Sequence, residues 1–131
     1  MTPNLQDEWK RHATRFMTRW LVMMEQRCRV RRERDRRISD LRSAVATNVT
    51  QEEKRNVILK DIHITEAAIF LKIAVFSFDE KQRRVLSELQ QDYSLLGDVQ
   101  WFNPESDIET LKYWIDSDGH DKALCAVADF A

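Results

Sequence analysis

The run Ile73-Ala74-Val75-Phe76-Ser77-Phe78, bounded by Lys72 and by Asp79-Glu80, constrains this chain more than any other feature. Short, apolar and enclosed by charge, it reads as a strand buried on both faces. Before it, Lys60-Asp61-Ile62-His63-Ile64-Thr65-Glu66-Ala67-Ala68 carries a helical pattern with Asp61 as its N-cap. After it, Asp79 caps a second helical pattern over 80–91, with Val85 and Leu89 on the inner face. Residues 99–102 read as another short strand. Strands joined by a helical crossover are expected to be parallel. Asp61 and Asp79 then stand at the N-terminal ends of consecutive helices, eighteen residues apart. At the carboxyl edge of a parallel sheet such positions can lie side by side. Paired acids there point to a divalent metal and phosphodiester chemistry.

The rest of the chain is helical in pattern. Leu5, Trp9, Phe16, Trp20 and Met23 or Met24 recur at helical spacings, predicting one long helix to about Gln26. Residues 27–37 hold no helix breaker and fit a helix or an extended arm. Ile38, Leu41 and Val45 resume a helical stripe that ends near Asn48. Thr50 with Glu53 fits a capping box for a helix over 51–59, separate from the helix over 62–72. Residues 93–97 read as a loop. Asn103-Pro104 ends the second strand, and Ser106 or Asp107 caps a helix carrying Ile108, Leu111 and Ile115. Asp118-Gly119 turns the chain, and 122–130 reads as a short helix or a tail. With 131 residues, one domain is expected: a helical part over 1–60, a βα core over 61–115 and a closing segment over 116–131. Two visible strands make a thin sheet. Either others hide in the first half or an N-terminal strand is absent.

Charge excludes little as a total and more in its distribution. The net charge is −1, yet Arg27, Arg29, Arg31, Arg32, Arg34, Arg36 and Arg37 fall within eleven residues, and the part after Asp92 is acidic. Such asymmetry suits a polyanion partner, and it equally suits a solvated helical face partly balanced by Glu33 and Asp35. Two Gly leave no glycine-rich phosphate cradle, so nucleotide-binding loops of that kind are excluded. Cys28 and Cys125 have no CxxC spacing and read as free thiols in a reducing cytoplasm. The apolar stretch over 67–75 is interrupted by Lys72 and too short to span a bilayer. His12, His63 and His120 are isolated and show no zinc spacing.

Taken in order, three stretches resemble the PIN-domain family of metal-dependent ribonucleases, in a bacterial PIN-like branch. Thr2-Pro3-Asn4-Leu5-Gln6-Asp7-Glu8-Trp9-Lys10-Arg11-His12, with Arg15-Phe16 and Arg19-Trp20-Leu21, is similar to that branch's second acidic element. Leu59-Lys60-Asp61-Ile62-His63-Ile64-Thr65-Glu66-Ala67-Ala68 resembles the third. Val75-Phe76-Ser77-Phe78-Asp79-Glu80 with Arg83-Arg84 resembles the fourth. Val99-Gln100-Trp101-Phe102-Asn103-Pro104 is similar to the closing strand, and Leu111 with Trp114 to the closing helix. The family begins with a strand ending in a metal-binding Asp, for which this chain shows no counterpart.

The resemblance implies a helix-rich α/β fold, a PIN-like parallel sheet with helices on both faces, lacking that N-terminal strand. It also implies endoribonuclease activity. Asp61 and Asp79, with Glu8 assisting, would hold Mg²⁺ or Mn²⁺, hard ions suited to carboxylate oxygens. The metal would lower the pKa of the attacking water and neutralise charge on the phosphorane. Arg27, Arg29, Arg31, Arg32 and Arg34, with Lys81, Arg83 and Arg84, would contact RNA phosphates. Trp9, Trp20, Trp101 and Trp114 could stack on bases, although their phasing fits core packing better. Family analogy adds the toxin of a toxin–antitoxin pair, with a small antitoxin protein as partner. An incomplete sheet edge invites homo-oligomers. Each acid also has a plainer reading: Asp61 and Asp79 as ordinary N-caps and Glu8 as a surface charge. If those readings hold, the chain is a catalytically incomplete PIN-like module that binds RNA or protein.

Overall fold

The computed structural model describes residues 1–119 and residue 126. The chain forms two compact units, Met1–Arg36 and Arg37–Ala131.

In the first unit, α1 (Pro3–His12) starts at Thr2, whose hydroxyl accepts the Leu5 N–H at 3.3 Å, with Pro3 in the first turn. The single helix expected to Gln26 is broken. Ala13 is extended, and Thr14 caps a second helix, α2 (Arg15–Gln26), by accepting the Met17 N–H at 3.2 Å. A threonine hydroxyl that satisfies an orphan N–H makes a new helix start as favourable as continuation. The break lets Trp9 stack on Trp20, ring centroids 5.9 Å apart. α2 ends in a Schellman motif: Cys28 is left-handed at φ 53°, its N–H donates to Glu25 O at 3.0 Å, and Arg29 N–H donates to Met24 O at 2.9 Å. Of the two conformations open to 27–37, the helix does not form. Residues 29–38 have no regular structure. They are not a loose arm either, because Glu33 N–H donates to Met1 O at 3.1 Å and Arg32 donates to Gln6 at 3.0 Å.

The second unit contains α3 (Ser39–Asn48), α4 (Glu52–Leu71), β1 (Val75–Phe76), α5 (Glu80–Leu89), a 3-10 turn over Ser94–Asp98, β2 (Trp101–Phe102) and α6 (Ile108–Asp116). It is a helix-rich arrangement around a two-stranded parallel sheet, in register Val75↔Trp101 and Phe76↔Phe102. Val75 N–H donates to Gln100 O at 2.9 Å and Ser77 N–H to Phe102 O at 3.1 Å. Among the described residues no strand precedes Val75. Leu41, Val45, Ile58, Ile62, Val75, Leu86 and Trp101 form the buried core. The Asp118-Gly119 turn is present, with both residues at positive φ. The helix or tail expected over 122–130 lies outside the described residues, apart from Ala126, which bridges to Gln100.

The expected division between helices over 51–59 and 62–72 does not exist. α4 is continuous, so Asp61 lies in its interior and is no N-cap. Ile58, Ile62, Thr65 and Ile69 form one stripe across the supposed boundary, and no Gly or Pro interrupts it. The Thr50–Glu53 capping box is also absent, since the helix starts at Gln51 without a side-chain cap bond. Lys72, left-handed at φ 54°, ends the helix.

One buried charge ties α3 to α4. Glu66, 1% exposed, accepts from Arg42 Nε at 2.9 Å, from Arg42 Nη2, and from the Ile38 N–H at the start of α3. The bond to Glu66 is the main reason the Arg42 guanidinium is held above its ordinary pKa. Removing one partner of a buried pair strands the other, whereas replacing both with apolar groups can be neutral. Glu66→Gln is therefore expected to cost about 3 kcal/mol. The Arg42→Met/Glu66→Leu double variant should recover most of that loss, as measured by denaturant unfolding.

Candidate functional site

Asp79 follows β1 after Ser77-Phe78, and its placement as the N-cap of α5 is as expected. Its Oδ1 accepts the Gln82 N–H at 2.9 Å, while its own N–H donates to Ser77 Oγ at 3.1 Å. Asp79 also lines an open cleft of about 500 Å³ between the N-terminal half of α4 and α5, with Lys54, Val57, Lys81, Gln82 and Arg84. Gln82 is buried, and among the described residues its Oε1 has no hydrogen-bond partner. Asp61 is half-buried and four residues beyond Val57, so it lies on the side of α4 that forms the cleft wall, one turn further along.

Glu8 belongs to the first unit. Its carboxylate accepts from Arg11 at 2.6 Å and lies 3.8 Å from His12. Among the described residues, no group of three or more His, Cys, Asp or Glu side chains is placed to hold a metal ion. Among the described residues, one oxygen of Asp79 caps α5, and one oxygen of Glu8 is ion-paired within the first unit.

The basic residues divide sharply. Arg83, expected on RNA, is 1% exposed and internal. It donates to Trp101 O at 2.8 Å, Asp107 Oδ2 at 2.8 Å and Glu80 Oε1 at 3.1 Å. Asn103 joins this network, donating from Nδ2 to Glu80 Oε1 at 2.8 Å and from its backbone N–H to Asp107 Oδ2 at 2.8 Å. Its own Oδ1 accepts the Glu105 N–H at 2.9 Å. The phase of Arg83 with Leu86 and Ser87, three and four residues on, is the sequence signal of a buried position. Lys81 and Arg84, by contrast, are exposed at the cleft.

The first unit holds most of the arginine run. Ten Lys and Arg stand against five Asp and Glu, a net charge of +5 in a chain whose total is −1. Arg31 pairs with Glu33 and Arg32 with Glu25. Arg27, Arg29 and Arg34 are exposed and form no ion pair among the described residues. On α2, Phe16 is 76% exposed and Trp20 is partly exposed. Trp101 is core, and Trp114 packs on Phe102 at 5.2 Å, as their phasing suggested. Cys28 is free and exposed. No helix among the described residues is long and apolar enough to cross a membrane.

No family model matches this chain, and neither a curated protein nor a solved structure does.

The two adjacent arginines give a direct contrast. Arg83→Ala removes the cation paired with Asp107 and leaves the Trp101 carbonyl without this donor, and is expected to cost about 3 kcal/mol. Arg84→Ala is expected to stay within about 0.5 kcal/mol of the parent. Urea unfolding followed by tryptophan fluorescence measures both.

Proposed function

We propose that this chain is an RNA-binding module whose second unit is PIN-like and whose acids do not form a complete cleavage centre. The observation that carries this reading is the +5 charge of the first unit, with Arg27, Arg29 and Arg34 exposed and outside ion pairs. Arginines of this kind gain affinity by releasing counterions from phosphates, without reading sequence. Phe16 and Trp20 on α2, with Arg19 between them, offer faces on which unstacked bases can rest. Single-stranded RNA supplies such bases and a duplex does not. The order helix, strand, Asp79-capped helix, parallel strand supports the PIN-like reading of the second unit.

A second reading is favoured by one observation, the position of Asp79 on the cleft, with Asp61 one helical turn beyond the lining residue Val57 on α4. It is a Mg²⁺- or Mn²⁺-dependent endoribonuclease acting in the cytoplasm as the toxin of a toxin–antitoxin pair, with an antitoxin protein as partner. It requires metal donors beyond these two.

Titration of a fluorescent single-stranded RNA separates the readings. In EDTA the chain is expected to bind with affinity that falls steeply with salt. Replacing Arg27, Arg29 and Arg34 by Ala together should weaken binding at least about tenfold and reduce the log–log salt slope by about 2. Asp61→Asn should leave binding unchanged, and added Mn²⁺ should produce no cleavage. Mn²⁺-dependent cleavage lost in Asp61→Asn would overturn the first reading in favour of the second.

A further inference from the structure

The first unit leaves its apolar side chains near water. Neither α1 nor α2 contains a buried residue, although together they carry two Trp, one Phe and three Met. The most exposed of these groups lie on one side of α2. Phe16, Trp20 and Met23, at spacings of four and three, share a helix face, with Val22 at its margin. These four are between 37% and 76% exposed. Arg15 and Arg19 stand on the same side, and Arg27 follows one turn after Met23. All three arginines are exposed and form no ion pair among the described residues. Glu25, the one acid of α2, lies opposite Phe16 and is paired with Arg32.

We infer that this face of α2 rests on an anionic lipid bilayer, with Phe16, Trp20, Val22 and Met23 at the boundary of the acyl chains and the arginines on the headgroups. Charge complementarity selects this occupant. A second copy of the same face would set arginine against arginine. A dry groove on another protein would have to strip water from cations interleaved with the apolar groups. RNA phosphates and bases engage the arginines, Phe16 and Trp20, but leave Val22 and Met23 in water. A bilayer surface takes both kinds of group at once. The apolar groups enter the acyl boundary, while each guanidinium reaches the headgroups along its own aliphatic stem. The +5 surplus of the unit adds attraction to an anionic leaflet. At 12 residues α2 suits the interface and is too short to cross a bilayer. The inference does not rest on RNA binding.

The probe is vesicles of phosphatidylcholine mixed with phosphatidylglycerol, set against phosphatidylcholine alone, with binding of the full chain read by flotation. The chain is expected to float with the mixed vesicles and not with the neutral ones. Arg15→Gln/Arg19→Gln should weaken that binding about tenfold. Val22→Ser/Met23→Ser, with its fold verified by circular dichroism, should also weaken it about tenfold and leave the affinity for single-stranded RNA unchanged. In the parent, lipids brominated high in the acyl chain should quench tryptophan fluorescence, because Trp20 reaches them. A folded chain that ignores the mixed vesicles overturns the inference. So does vesicle binding that Val22→Ser/Met23→Ser leaves intact, which is adsorption by charge alone. An equal loss of RNA affinity in that variant overturns it too, and makes the face an RNA surface. If that variant does not fold, vesicle binding by the parent without quenching still overturns the inference.

Discussion

The second unit depends on the burial of the Arg83 guanidinium. A cation taken from water is tolerated only where its donors are matched. Here three elements supply acceptors: Glu80 from α5 itself, the Trp101 carbonyl from β2, and Asp107 from the start of α6. Asn103 closes the network and shapes the turn after β2. The parallel ladder is only two residues long on each strand. This side-chain network therefore does much of the work of fixing α5 against β2 that a longer ladder would do. Glu66 plays a matching role elsewhere in the unit, holding the start of α3 to α4. Both devices explain how so small a sheet organises so many helices.

The division of charge between the units gives the functional account its shape. The acidic surplus lies in the second unit, where the cation buried at its heart is already satisfied. The basic surplus lies in the first, where several guanidinium groups face solvent. A polyanion would be drawn to the second kind of arginine and not the first. Asp79 is engaged in a cap, Asp61 is in the middle of a helix, and Glu8 is paired with its own helical neighbours.

Much of this was legible in the sequence where one physical rule acted alone. The apolar run at 73–78 does hold a strand, Asp79 caps the next helix, and Val85 and Leu89 mark its inner face, but the strand is only Val75–Phe76 and is buried on one face, with Ile73, Phe76 and Phe78 exposed. The sequence misled where two rules competed. Asp61 has the chemistry of a cap, but the stripe from Ile58 to Ile69 continues through it, and burial of that stripe decided. Thr14 broke a helix whose aromatic spacing tolerated a skipped turn. Arg83 was hidden by its type, since a charged residue is read as exposed unless its phase is weighed against its neighbours. Two of the three partners that make its burial possible come from residues 18 and 24 positions away, which no local pattern could reveal.

We propose that RNA is held by the arginine-rich part of the first unit, without metal. Photo-cross-linking of a thiouridine-bearing single-stranded RNA to the full chain in EDTA, followed by peptide mapping, tests it most directly. The account predicts cross-links in residues 15–37, including the exposed face of α2. Cross-links confined to the cleft around Asp79, appearing only when Mn²⁺ is supplied, would contradict it.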